Sequence, residues 1–247
     1  MCINESLFEN TRDKIVGIQR ERQGIGTLSE KTVHAVLKNY YAPDTDMHEI
    51  PIENFVADIY TGQEIIEIQT RAFNKMRRKL DAFLPVYPVT IVYPIPHIKW
   101  LSWIDEETGE TSPKRKSPKT GNAYMAFIEL YKIRSYLSNP NLHLKVALID
   151  MEEYRLLNGW SRDKKKGSER YDRIPVKFAE EVCIDRREDY MQFVPYDLPE
   201  QFTAKDFAKH AKIPVRLAQT VLLILTDLEI VIRVGKQGHS YLYEVNE

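Results

Sequence analysis

Cysteine is almost absent from this chain of 247 residues, in which only Cys2 and Cys183 occur. Two cysteines so far apart in sequence exclude a disulfide framework and a zinc site built from cysteines. The histidines are scattered without the spacing of metal ligands. The chain also lacks an apolar run of about 18 residues and a signal-peptide pattern. These absences predict a cytoplasmic protein with no membrane partner.

A strong net charge is missing as well. The 35 Lys and Arg residues and the 36 Asp and Glu residues leave a formal net charge of -1, so bulk charge gives no sign of a nucleic-acid partner. Positive charge is concentrated only locally, in two basic clusters. The first contains Lys114, Arg115, Lys116 and Lys119, and the second contains Arg162, Lys164, Lys165, Lys166, Arg170 and Arg173. Such runs are either solvated loops or phosphate-contacting surfaces.

Several catalytic motifs are also missing. Residues 24–27 (Gly-Ile-Gly-Thr) lack the Gly-Lys-Ser/Thr ending of a phosphate loop and follow no predicted strand. The sequence has no nucleophile elbow and no Cys/His pair. Nucleotide hydrolysis by a phosphate loop and covalent catalysis by serine or cysteine therefore find no support.

The most informative stretch runs from Asp58 to Gln69, and it predicts two short strands joined by a turn at Gly62-Gln63. Glu67 and Gln69 are two apart and project from the same face of the second strand. With a two-residue loop, Asp58 lies opposite Glu67, with the Cβ atoms about 5 Å apart. Two facing carboxylates repel each other unless a cation, such as a divalent metal, lies between them. The alternative is a solvated acidic face, and a loop one residue longer would turn Asp58 to the other side.

The segment before this hairpin predicts a helix over residues 27–41. Thr27 and Glu30 have the spacing of a capping box, followed by an apolar stripe. Glu30 is either only the partner of that cap or the third acidic group of a site beneath the hairpin. Residues 1–26 predict either a flexible arm or a helix that docks elsewhere.

The segment after the hairpin predicts a crossover. Residues 71–84 have an amphipathic helical pattern, and residues 89–93 form a short β-rich run. A strand, a helix and a further strand in this order predict that the last strand is parallel to its neighbour. Lys75 and Lys79 flank the apolar stripe of the helix, so either one can bring an ammonium group back toward Glu67.

The middle of the chain alternates between strand and helix patterns. Residues 97–104 predict a separate strand, residues 124–137 a helix and residues 142–149 a further strand. Residues 151–195 are mixed and basic and give no clear assignment.

The C-terminal part has the layout of a winged helix-turn-helix. Residues 203–206 predict the cap of a helix that ends at His210, residues 215–228 a second helix, and residues 229–234 and 240–245 two strands. The second helix is mostly apolar, which leaves Arg216, Gln219 and Thr220 to contact bases and Lys236 and His239 on the wing to contact phosphate. The module therefore either reads a DNA sequence or has a structural or dimerisation role.

Residues 27–93 resemble the PD-(D/E)xK nuclease superfamily. The match consists of a helix with an acid (Glu30), a strand with Asp58, the Glu67-Ile68-Gln69 strand, a helix and a parallel strand. The resemblance implies a restriction-endonuclease-like α/β fold, with a mixed sheet flanked by helices. It also implies that Asp58 and Glu67 hold Mg²⁺, with Mn²⁺ as a possible substitute. Gln69 stands where most members have lysine, as in an ExQ variant, and Lys79 is expected to replace the missing charge.

The resemblance implies a metal-dependent DNA endonuclease that hydrolyses phosphodiester bonds. The predicted organisation is an N-terminal arm or helix (1–26), a nuclease-like domain (27–195) and a small winged-helix domain (196–247). DNA is the expected partner, and a homodimer is possible through the winged helix. The alternatives are a catalytically inactive nuclease-fold protein that binds DNA, and an interaction protein whose winged helix binds protein.

Overall fold

The computed structural model describes residues 3–23, 32–160 and 166–246. The helices are α1 (Glu5–Gln23), α2 (Thr32–Tyr41), α3 (Arg77–Phe83), α4 (Phe127–Leu130), α5 (Ala204–His210) and α6 (Val215–Asp227). The strands are β1 (His48–Ile52), β2 (Phe55–Tyr60), β3 (Ile65–Ile68), β4 (Val89–Ile104), β5 (Arg115–Lys116), β6 (Leu142–Trp160), β7 (Lys166–Ile184), β8 (Phe202–Thr203), β9 (Val231–Gln237) and β10 (Ser240–Val245). Short 3-10 segments are Thr45–Met47, Phe73–Met76, Ala123–Ala126, Tyr131–Tyr136 and Arg187–Phe193.

The main sheet is mixed. Within the described residues it has seven strands in the order β1-β2-β3-β4-β6-β7, with β5 paired to β4. β1 and β2 are antiparallel, whereas β3 and β4 are parallel, with Glu67 aligned with Ile91. Helix α3 lies in the crossover between β3 and β4, so the predicted crossover is confirmed. An α/β protein with a mixed sheet flanked by helices is the observed class.

Residues 89–93 and 97–104 are strand as predicted, but their separation into two strands is wrong. The expected pair of strands at 89–93 and 97–104 is the single strand β4, which continues through Pro94 and Pro96. Proline is compatible with extended backbone because its fixed φ lies near that of a strand, although it gives up one ladder donor. Residues 151–195, which gave no assignment, contain the second half of β6, all described residues of β7 and a 3-10 segment.

The first of two compact units comprises Met1–Thr61, Pro94–Asn122 and Ala147–Glu181. Its core includes Phe8, which is buried and makes ring contacts with Tyr40 and Phe178 at centroid distances of 5.7 and 5.4 Å. Because these contacts join α1 to α2 and β7, the described N-terminal residues form a docked helix, one of the two predicted alternatives.

The second unit comprises Gly62–Tyr93, Ala123–Val146 and Val182–Glu247. In its C-terminal part, Thr203 caps α5 and forms a capping box with Asp206, as the sequence predicts. The hairpin of β9 and β10 follows α6, and β8 adds a third strand in the order β8-β10-β9. The predicted sequence of helix, helix and hairpin is therefore confirmed, while β8 was not predicted.

None of the helices in the described ranges combines the length and the apolar character needed to cross a bilayer.

Candidate functional site

A buried carboxylate and a lysine form a close ion pair in the second unit. Glu67 lies on β3, where all four side chains are buried, and only 4% of the residue is exposed. Lys79 of α3 donates from Nζ to Oε1 at 2.7 Å and to Oε2 at 2.6 Å. The predicted return of a lysine from the following helix is therefore made by Lys79, whereas Lys75 is exposed in the preceding 3-10 segment.

The local sequence explains why Lys79 reaches Glu67. Met76, Leu80 and Phe83 are buried and hold one face of this helical segment against the core. Lys79 precedes Leu80 directly, at the edge of that apolar face, so its aliphatic stem packs inward while its ammonium group stays near the carboxylate. A carboxylate buried on a strand is costly without a partner, and Lys79 supplies the charge that offsets it.

The second predicted acid has a different partner, in the first unit. Asp58 lies on β2 between Ala57 and Ile59, which are fully buried. Its Oδ2 is 3.2 Å from Nε2 of His34 on α2, and both side chains are half-buried. Sequence reasoning missed His34 because no metal-ligand spacing marked it.

Gln69 follows β3 directly. Its backbone N–H donates to the carbonyl oxygen of Val92 at 2.9 Å, which extends the parallel pairing by one residue. Its side-chain amide donates to the carbonyl oxygen of Arg71. The amide is thus oriented by the backbone of the next segment.

Three of the predicted site residues lie outside the described residues: Glu30, Lys164 and Lys165. Lys166 is the first residue of β7. The possible role of Glu30 as a third acid, and the contribution of the two lysines to a basic surface, therefore stay predictions.

The first basic cluster forms part of a short strand rather than an irregular loop. Arg115 and Lys116 make up β5, which pairs with Leu101 and Trp100 of β4, and their side chains are exposed. Lys114 forms an ion pair with Glu152, with Nζ 2.5 Å from Oε1. Lys119 is exposed. This strand holds its cations at fixed positions along the edge of β4.

A second ionic cluster, which the sequence did not predict, is centred on Glu153 of β6. Glu153 is fully buried, and Arg155 donates to its Oε1 from Nε at 2.8 Å and forms an ion pair with the same oxygen through Nη2 at 2.7 Å. Lys99 of β4 and Arg173 of β7 both bind its Oε2, at 3.1 and 2.9 Å. All four residues lie in the first unit. We refer to these four side chains as the Glu153 cluster.

The charges of the Glu153 cluster act on one another. Burial by itself raises the pKa of Glu153, but the charges of Arg173 and Lys99 and the hydrogen bonds from Arg155 and Arg173 outweigh it and lower that pKa to about 2. Burial lowers the pKa of Lys99, against the opposing attraction of Glu153. The carboxylate therefore stays ionised throughout the neutral range.

The C-terminal helix α6 presents the predicted polar residues to solvent. Arg216 and Gln219 are exposed, while the apolar face of the helix is buried. Lys236 on β9 lies with Nζ 5.4 Å from the ring centroid of Tyr241, and Arg233 lies 4.5 Å from the same ring. The hairpin thus carries two cations against an exposed aromatic ring, an arrangement stabilised by the ring quadrupole.

Metal binding depends on the donors available. In the part of the chain that the structure describes, no group of three or more His, Cys, Asp or Glu side chains has the geometry of a metal site. Magnesium needs only one or two carboxylates, because it retains several waters. Asp58 in the first unit and Glu67 in the second each carry carboxylate oxygens, which are donors of this kind.

Comparisons with known proteins show a family and a relative that this chain resembles. A family model described as "Domain of unknown function (DUF8091)" matches residues 31–185. A protein of Treponema pallidum (strain Nichols), described as an uncharacterized protein, is 26% identical over 192 residues, which cover 75% of this chain and 74% of that protein. No solved structure matches the chain. The family match includes Asp58, Glu67, Lys79 and the whole Glu153 cluster.

Proposed function

The chain belongs to the family described as a domain of unknown function (DUF8091), and from its residues we propose that it is a metal-dependent nuclease that hydrolyses phosphodiester bonds in DNA. The order of elements supports this proposal. Helix α2, strands β1 to β3, helix α3 and a parallel strand β4 follow one another as the resemblance to the PD-(D/E)xK superfamily implies. The restriction-endonuclease-like fold is part of the proposal.

The observation that carries the proposal is the contact of Lys79 with both carboxylate oxygens of Glu67. In the resembling family, a lysine two residues after the glutamate supplies positive charge near the attacking water. Gln69 cannot supply it, because an amide is neutral. Lys79 brings that charge to the same carboxylate from the next helix.

The resemblance assigns the metal to Asp58 and Glu67. When bound there, Mg²⁺ or Mn²⁺ supplies Lewis-acid polarisation of the phosphoryl oxygen and a bound water of lowered pKa. Lys79 fixes the orientation of Glu67, and His34 fixes that of Asp58. The amide of Gln69 is held by the carbonyl oxygen of Arg71 and is available to orient a water.

The test is cleavage of duplex and single-stranded DNA in the presence of Mg²⁺ or Mn²⁺. Asp58→Ala, Glu67→Gln and Lys79→Met are each expected to abolish cleavage while leaving DNA affinity within a few-fold of the wild type. Lys75→Met is the matched control, because it removes an exposed lysine close to α3, and it is expected to cleave normally. Unchanged cleavage by Asp58→Ala would overturn the assignment.

The contact of Lys79 with Glu67 and that of Gln69 with Arg71 also favour a second function. Lys79 already neutralises Glu67, and the amide of Gln69 already donates to the backbone. A site occupied in this way fits a nuclease fold that has lost its reaction and retains DNA binding. In that case the wild type binds DNA with a strong salt dependence and does not cleave it with either metal. Absence of any salt-sensitive DNA affinity would point instead to a protein partner for the C-terminal module.

A further inference from the structure

Two cations share a single carboxylate oxygen in the Glu153 cluster. Arg155 donates a hydrogen bond from Nε to Oε1 and forms an ion pair with the same oxygen through Nη2, so by itself it matches the charge of Glu153. Lys99 and Arg173 both donate to Oε2. The four side chains together therefore carry a charge of about +2, because three cations surround one anion.

Because Lys99 and Arg173 share Oε2 of Glu153, each of them keeps N–H donors that do not bind this carboxylate. Arg173 uses its Nε to bind Glu153, and its two terminal nitrogens have no other acceptor among the described residues. Lys99 has three N–H donors and gives one to Glu153. The side chains of Lys99 and Arg173 are 21% and 25% exposed, so an external ligand can reach them.

The positions of these cations are fixed by the sheet. Lys99 lies on β4 and Arg173 on β7, the two strands that flank β6, which carries Glu153. Side chains on paired strands lose less freedom on binding than side chains on a loop, and Glu153 holds both at one point. The guanidinium group of Arg173 presents its N–H donors as a fork, and the ammonium group of Lys99 is a compact charge. Two fixed cations of these kinds match the oxygens of a phosphate group.

We propose that Lys99 and Arg173 form a phosphate-binding site, with Glu153 and Arg155 as the positioning residues that hold it in place. The ligand is a phosphate group, either in a nucleic-acid backbone or in a free phosphate ester. The nucleic-acid form deepens the proposed function by adding a backbone contact, but the site itself does not depend on cleavage.

The experiment uses the full chain and two probes, a short DNA duplex over a series of salt concentrations and inorganic phosphate alone. Lys99→Gln and Arg173→Gln are each expected to weaken DNA binding several-fold and to reduce the salt slope by about 0.9, the value for one lost phosphate contact. Lys177→Gln removes an exposed lysine from the same strand β7 and is expected to keep the wild-type slope. Phosphate is expected to raise the thermal midpoint of the wild type more than that of either cluster variant.

The two probes identify the source of the phosphate. An unchanged DNA slope, together with loss of the phosphate response in Arg173→Gln, assigns the site to a free phosphate ester. If both variants match Lys177→Gln with both probes, the proposal is overturned.

Separate control variants distinguish loss of the site from loss of folding and from loss of cleavage. Arg173→Gln leaves Glu153 with two cations, so the carboxylate is not stranded, and Arg173→Lys keeps the charge and is expected to retain most of the salt slope. If Arg173→Gln does not fold, the salt slopes of Lys99→Gln and Arg173→Lys are compared instead. Equal slopes in these two variants would count against the site. Lys79→Met is expected to lose cleavage with an unchanged salt slope, so failure of the proposed function and failure of this site give different results.

Discussion

Lys79 holds its ammonium nitrogen within 2.7 Å of both carboxylate oxygens of Glu67, although the two residues are on different elements of the crossover. The lysine belongs to α3, and the glutamate belongs to the buried strand β3. Packing of the apolar face of α3 therefore determines where this positive charge lies.

We expect Lys79→Met to lower the free energy of unfolding by about 2 kcal/mol, because it leaves a buried carboxylate without its cation. Glu67→Met in the same background is expected to recover most of this loss, since both charges are then gone and an apolar pair remains. Urea unfolding of the two single variants and the double variant measures the coupling. Additive losses in the double variant would show that the pair contributes nothing to stability.

The Glu153 cluster predicts a specific acid sensitivity. Because its pKa of about 2 lies below that of an unfolded glutamate, ionised Glu153 stabilises the folded state fully above about pH 4.5, and this contribution is lost as the pH falls toward 2. The contribution is on the order of 3 kcal/mol. The stability difference between the wild type and Glu153→Gln should therefore shrink as the pH falls.

The measurement is urea unfolding of both proteins at about pH 6 and about pH 3. Glu180→Gln removes an exposed carboxylate from the neighbouring strand β7 and shows whether any carboxylate loss has this effect. A gap between wild type and Glu153→Gln that is the same at both pH values would contradict the prediction.

The cap of α5 is expected to stabilise the C-terminal part of the second unit. Thr203 is buried, and its hydroxyl accepts from the backbone N–H groups of Lys205 and Asp206. Thr203→Ala should cost about 1 kcal/mol of unfolding free energy, because these donors lose their acceptor. Thr220→Ala, in the body of α6, is the control and should change stability by less than about 0.5 kcal/mol. Equal effects of the two substitutions would argue against a capping role.

Gly121 is a position where a side chain does not fit. A Cβ atom there would lie 2.1 Å from the backbone carbonyl oxygen of Pro96, and the Gly121 N–H donates to the carbonyl oxygen of His97 at 2.9 Å. Gly121→Ala should therefore destabilise the protein by about 2 kcal/mol, because the backbone of β4 must move. Gly17→Ala, in α1 with no atom within 4 Å of the new Cβ, should instead stabilise it by about 0.5 kcal/mol. Thermal unfolding of the two variants, compared with the wild type, checks both signs.

The sequence predicted those parts of the structure that depend on local pattern. The amphipathic run before Pro85 predicted the helix of the crossover, and the spacing of Thr203 and Asp206 predicted the start of α5. Both signals act over a few residues, through side-chain periodicity and through a cap. They were sufficient to predict a lysine of this segment near Glu67, but the choice between Lys75 and Lys79 came from the structure.

The Glu153 cluster could not be predicted in this way. Its cations come from β4, β6 and β7, and the contact of Lys99 with Glu153 joins residues that are 54 positions apart. Residues 151–195 carry polar and charged side chains without a clear period, so the second half of β6 and all of β7 were not assigned and no pairing could be inferred. The contact of His34 with Asp58 was missed for a related reason, since it depends on how α2 lies against β2.

The parallel pairing of β3 with β4 has a consequence for the speed of folding. Ile65 aligns with Val89 and Ile68 with Val92, so the chain must close a loop that contains α3 before the first of these ladder bonds forms. Contacts between distant positions slow the approach to the transition state, whereas the hairpin of β9 and β10 closes over a few residues. Pulse-labelling hydrogen exchange during refolding is therefore expected to protect the amides of the terminal hairpin before those of β3.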